Sequence, residues 1–135
     1  MAKIERFEDL QSWQKARQLA AQVHELTAHP EFAKDFRLRD QIGDAAGSVM
    51  HNIAEGFDAG SGLEFIRFLK MARRSASEVQ SELYLALDRK YINEAELSAA
   101  YELATESKRL INGMIAYLRK FARHPSDNRS TRAQS

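Results

Sequence analysis

The stretch Ser48-Val49-Met50-His51-Asn52-Ile53-Ala54-Glu55-Gly56-Phe57 decides how this chain folds. Ser48, Asn52 and Glu55 stand at i, i+4 and i+7, so they share one face of a helix. Val49 and Ile53 share another, apolar face. The glycine that follows reads as the helix stop. Polar groups set between apolar neighbours in this way need a specific packing partner.

Working outward, the same helix carries Leu38, Ile42, Ala45 and Ala46 and is expected to end near Gly56. Asp58-Ala59-Gly60-Ser61-Gly62 is a turn by composition. Ser61 and Glu64 then form a capping box that opens a third helix reaching Arg89 or Lys90, ~40 Å long at helical rise. Leu63, Ile66, Leu69, Ala72, Ala76, Val79 and Leu83 make its apolar stripe. Phe65, Phe68 and Met71 widen that stripe beyond what one core needs, which points to burial against a second subunit.

On the N-terminal side, Leu10, Trp13, Ala16, Leu19, Val23 and Leu26 recur every three or four positions and predict a first helix over 8–28. Glu8 and Asp9 fall in its first turn, where the helix dipole favours negative charge. His29-Pro30 ends it, and Phe32 and Phe36 in the connection are expected to lid the core. Asn93 and Glu96 form another capping box, opening a fourth helix to about Arg123. Leu103, Leu110 and Tyr117 repeat every seven residues on its flank and are further candidates for subunit contact.

The chain of 135 residues is 44% hydrophobic and 29% charged, with 2 Pro, 6 Gly and no Cys. That composition fits one globular helical domain and excludes a disulfide framework or a thiolate zinc site. Met1-Ala2-Lys3-Ile4-Glu5-Arg6 lacks the apolar core of a signal peptide, and no apolar run reaches the ~18 residues of a membrane span. A cytoplasmic protein with no membrane partner is expected. The expected fold is all-α: an antiparallel up-down-up-down four-helix bundle over 1–124, followed by a polar, disordered C-terminal tail over 125–135.

Several residues carry a family resemblance. They are Phe7, Leu10, Trp13 and Ala16; Gln41, Ala45, Ala46 and Ser48; Asn52-Ile53-Ala54-Glu55-Gly56; Glu64-Phe65-Ile66-Arg67-Phe68-Leu69; and Ala72, Ser75 and Glu78. Through them the chain resembles the helical-bundle proteins encoded by intervening sequences of bacterial 23S rRNA genes. The accessory variability proteins of diversity-generating retroelements look like relatives. The resemblance implies a homo-oligomeric ring, typically a homopentamer, with no established enzymatic activity. It further implies basic surfaces presented to RNA and to a reverse transcriptase-like protein. Met50 stands where many members have proline, Asp44 where a basic residue is usual, and Arg74 where glycine is usual.

Ser48, Asn52, Glu55, Ser75 and Glu78 are candidates for one polar network between the second and third helices. Its leading reading is structural, a joint that fixes helix register, because such networks perturb ionisation as readily as catalytic ones. A di-metal site would need Glu-x-x-His pairs, and none occurs; His51 and Glu55 are two ligands and do not close a site. His24, His29 and His124 lack companions at ligand spacing and read as solvated. With no nucleophile motif or phosphate loop, no catalytic residue, cofactor or metal is assigned.

The basic residues remain. Arg67, Lys70, Arg73 and Arg74 lie on the third helix, and Lys108, Arg109, Arg119, Lys120 and Arg123 on the second half of the fourth. Solvated helix faces explain much of this, since net charge is only +1. Repeated around a ring, the same cations would form a belt that attracts phosphate backbones. The leading function is therefore an oligomeric, non-catalytic scaffold that binds structured RNA or a ribonucleoprotein. A protein-interaction scaffold without nucleic acid is the alternative, and a carboxylate or metal enzyme comes third.

Overall fold

Local capping chemistry sets most of the element boundaries. In the computed structural model, which describes residues 4–122, five α-helices follow a short 3₁₀ turn at Phe7–Asp9. They are α1 (Gln11–Thr27), α2 (Pro30–Lys34), α3 (Phe36–Asp58), α4 (Gly62–Asp88) and α5 (Glu94–Ala122). The Asp35 carboxylate accepts the Leu38 N–H at 3.2 Å and caps α3, and the Ser61 hydroxyl accepts the Glu64 N–H at 3.2 Å and caps α4. At the start of α5 the capping box is reciprocal. Glu96 N–H donates to Asn93 at 2.8 Å, and Asn93 N–H donates to the Glu96 carboxylate at 2.9 Å.

α4 closes with Lys90 N–H donating to Leu87 O at 2.9 Å and Tyr91 N–H to Ala86 O at 2.9 Å. That paired arrangement needs a left-handed residue, usually glycine, and here Lys90 supplies it with φ of 64°.

Each of the four long helices packs against two others: α1 on α3 and α5, and α4 on α3 and α5. Leu19, Phe32, Leu38, Ile42, Ile53, Leu69, Leu83 and Ile111 are fully buried between them. Asp35 ties one end of the bundle together, accepting the Tyr91 hydroxyl at 2.8 Å and an Arg89 guanidinium N–H at 2.8 Å. The Leu38 N–H and then Tyr91 hold its carboxyl below the ordinary aspartate value.

Four sequence expectations need correction. The first α-helix begins at Gln11, not Glu8: Asp9 accepts the N–H groups of Glu5 and Arg6 at 3.3 Å, and Leu10 is extended where it enters the core. Phe36 does not lid the core; it is 64% exposed beneath the Arg39 guanidinium, and Phe32 alone is buried. His29 is not simply solvated, since its Nε2 bonds Glu96 Oε2 at 2.7 Å and joins the α1–α2 junction to α5.

The fourth concerns Gly56. α3 runs through it to Asp58, and the glycine is buried against α4. A Cβ there would lie 2.8 Å from Phe68 Cβ, 2.9 Å from Phe65 Cδ1 and 3.3 Å from Phe65 O. Gly56 is thus the point of closest approach between two helices, not a stop. The tail over 125–135 and Arg123 lie outside the described residues.

Candidate functional site

α4 has two polar flanks, one against each neighbouring helix. Toward α5, Gln80 is only 7% exposed and is fully engaged. Its Nε2 donates to Thr105 Oγ1 at 2.9 Å and to Tyr101 O at 3.4 Å, and its Oε1 accepts from Lys108 Nζ at 2.9 Å. Further along, Arg73 donates to the Asn112 side chain at 2.8 Å. These contacts fix α4 and α5 in an antiparallel register that carries Arg119 to the level of Arg67.

The basic residues of α4 and α5 divide into paired and free ones. Arg67 is ion-paired with Glu64 at 2.9 Å and lies over the Phe68 ring, 4.7 Å from its centroid. Arg109 is paired with Glu106, whose carboxyl falls below the ordinary glutamate value mainly through that bond. Lys70, Arg74, Arg119 and Lys120 are exposed and, among the described residues, have no hydrogen-bond or ion-pair partner. Their full charge therefore faces solvent.

Toward α3, the sequence-derived network is only partly assembled. Ser75 Oγ donates to Ser48 Oγ at 3.0 Å, and Asn52 Nδ2 donates to the same oxygen at 2.9 Å and to Ser48 O at 2.9 Å. Glu55 is exposed and forms no hydrogen bond with this group, so it falls outside the joint. Glu78 does not bond the serines either; it lines a groove of about 370 Å³ with Gln41, Asp44, Ala45, Ser48, Ser75 and Glu82.

Glu82 is the residue that the pattern reading missed. It is 8% exposed, and its Oε2 is buried with no hydrogen-bond partner. Burial above all, then the charges of Glu78 and Asp44, push its carboxyl up from 4.5 to about 7. The signal was present: Gln41, Asp44 and Ser48 on α3, and Ser75, Glu78 and Glu82 on α4, each run i, i+3, i+7. The polar face extends N-terminally from Ser48, away from Glu55.

An apolar groove of about 640 Å³ occupies another part of the surface, lined by Ile4, Phe57, Phe65, Leu110, Met114 and Tyr117 among others. It gathers three of the six predicted interface residues: Phe65, Leu110 and Tyr117. Phe68, Met71 and Leu103 lie elsewhere. Phe65 and Phe68 are half-buried against their own chain, Phe65 edge-on to Phe57 at 6.1 Å, so intramolecular packing accounts for much of the extra aromatic stripe. Met71 is 36% exposed and Tyr117 59%.

Among the described residues no helix is long and apolar enough to cross a membrane. No three His, Cys, Asp or Glu groups among them stand close enough together to hold a metal ion.

No curated protein is similar enough to the chain to count as a match. A solved structure from Bacteroides thetaiotaomicron, a protein of unknown function from the S23 ribosomal protein family, superposes with a TM-score of 0.72. It is 24% identical, over 78% of this chain and 95% of that one, and the likeness establishes a shared fold. The family model described as 23S rRNA-intervening sequence protein matches residues 8–113, a span that takes in both flanks of α4. The chain belongs to the 23S rRNA-intervening sequence protein family.

Proposed function

We propose that this protein is a non-catalytic accessory scaffold that binds structured RNA, alone or within a ribonucleoprotein, through the α4–α5 seam. The observation that carries this reading is the set of unpartnered cations Lys70, Arg74, Arg119 and Lys120 beside Arg67 and Arg73. Ion-paired cations contribute little to a distant phosphate, whereas these four keep their charge. Exposed lysines and arginines contact phosphates rather than base edges, so the recognition proposed is of backbone and shape.

In this proposal the four long helices are an antiparallel bundle, and copies assemble into a ring, a pentamer by family resemblance. The ring multiplies the seam into a continuous positive belt. The absence of cysteine fits a cytoplasmic setting, and the family resemblance supports kinship with the retroelement accessory variability proteins, with a reverse transcriptase-like protein as a partner.

Binding of a structured RNA should reach ~1 μM or tighter at low salt and weaken linearly in log–log form as salt rises. Charge reversal of Arg67, Lys70, Arg74 and Arg119 together should lower affinity by about 100-fold and flatten the salt slope. Unchanged affinity in that variant would sink the proposal. The apolar groove around Phe65, Leu110 and Tyr117 favours a second reading, a scaffold for protein partners. Partners retained in full after nuclease treatment would favour that one.

A further inference from the structure

We propose that the α3–α4 groove is a binding site for an organic cation of the guanidinium class, with Glu82 as its buried anchor. The site is separate from the α4–α5 seam, so it stands or falls independently of RNA binding. Its geometry carries the argument. Asp44 from α3 and Glu78 and Glu82 from α4 line one groove, and among the described residues none of the three has an ion-pair or hydrogen-bond partner. Exposed carboxylates tolerate that state. Glu82 does not: its Oε2 is removed from water and satisfied by nothing, a state that folded proteins rarely keep without a ligand.

The chemistry of the walls narrows the ligand. A bare divalent cation needs several oxygens converging at ~2.0–2.6 Å, and these carboxylates are not close enough together to supply them. A planar guanidinium instead spreads its charge over five N–H donors. It can engage the buried Glu82 side chain where that lines the groove, together with the exposed Glu78 or Asp44. The groove's volume of about 370 Å³ suits a small organic group and exceeds what a single ion or water fills.

Beside the carboxylates, the Ser48 oxygen accepts from Ser75 and Asn52, which leaves its own O–H available to a ligand acceptor. Gln41 offers both donor and acceptor at the rim. Burial and the neighbouring charges raise the Glu82 carboxyl to about 7, so below neutral pH the empty site holds a proton. An arriving cation removes that penalty, so binding releases the proton and strengthens as pH rises.

The guanidinium can come from a free small molecule or from an arginine side chain of another protein, and the experiment separates the two. Agmatine and an arginine-containing peptide are each titrated into the intact protein by calorimetry at pH 8 and pH 6, with magnesium chloride as a third titrant. Glu82→Gln and Asp44→Asn serve as variants, the latter exposed and therefore harmless to folding. Agmatine should bind at pH 8 and lose affinity about tenfold or more in E82Q. It should weaken at pH 6 and release protons on binding. Saturable E82Q-sensitive binding of the peptide but not agmatine supports the site with a side-chain source. No binding of either, affinity unchanged in both E82Q and D44N, or magnesium binding that excludes agmatine would overturn it.

Discussion

Gln80 and Glu82 lie on the same helix, one residue between them, almost equally buried at 7% and 8% exposure. Gln80 faces α5 and uses both ends of its amide, bonded to Thr105, Tyr101 and Lys108. Glu82 faces the α3 side and leaves an oxygen with nothing. Burial alone therefore does not reveal what a polar residue is for. A satisfied buried group specifies how two helices fit, whereas an orphaned one weakens the fold and is kept for another reason. The two sides differ in sign as well: free cations are exposed on α4 and α5, and uncompensated carboxylates line the groove at α3–α4.

The most severe way to break the comparison is at Gly56, where α3 and α4 touch. Gly56→Ala places a methyl against Phe68 Cβ and the Phe65 backbone, neither of which can swing aside. We expect a loss of ~3 kcal/mol in chemical denaturation, from overpacking. A methyl added to Gly113 of α5 would meet nothing within 4 Å. Gly113→Ala should therefore stabilise by ~0.5–1 kcal/mol, through helix propensity alone. Opposite signs at the two glycines would confirm that close approach belongs to the α3 side.

Gln80→Leu tests the satisfied seam. It strips partners from Thr105 and Lys108 and should cost about 1–2 kcal/mol, with no change in slope between pH 5 and pH 8. The smallest effect is expected at Lys90, which lies in neither seam and serves as a baseline. Lys90→Gly relieves the left-handed backbone at φ of 64° and should raise stability by ~0.5 kcal/mol in the same assay.

Much of the fold was legible because apolar periodicity and caps are local. The stripes from Leu19 to Ile111 and the caps at Ser61 and Asn93 follow from residues three or four positions apart. What escaped depended on distant neighbours. Gly56 has the same local signature whether it ends a helix or admits a second one, and only Phe65 and Phe68 across the seam decide. His29 looked isolated because its partner Glu96 is far along the chain. Of the polar joint, Ser48, Asn52 and Ser75 were legible. Glu55 was included wrongly, and Glu82 was missed because a glutamate flanking an apolar stripe is usually solvated. The split between paired and free cations was not legible either, since it depends on which way each side chain turns.

The central claim is that Glu82 is an orphaned carboxylate tolerated at a cost to the fold. Its carboxyl is raised from 4.5 to about 7 in the folded protein, which therefore holds a proton that the unfolded chain gives up between those values. Stability from this residue is present below pH 4.5, falls as pH rises to about 7, and stays low above it. The direct measurement is the unfolding free energy of wild type and Glu82→Gln at pH 5 and pH 8. The variant should be more stable at pH 8, by at most about 3 kcal/mol, and the advantage should shrink to under about 1 kcal/mol at pH 5. A variant less stable than wild type at pH 8, or an equal difference at both pH values, would contradict the account.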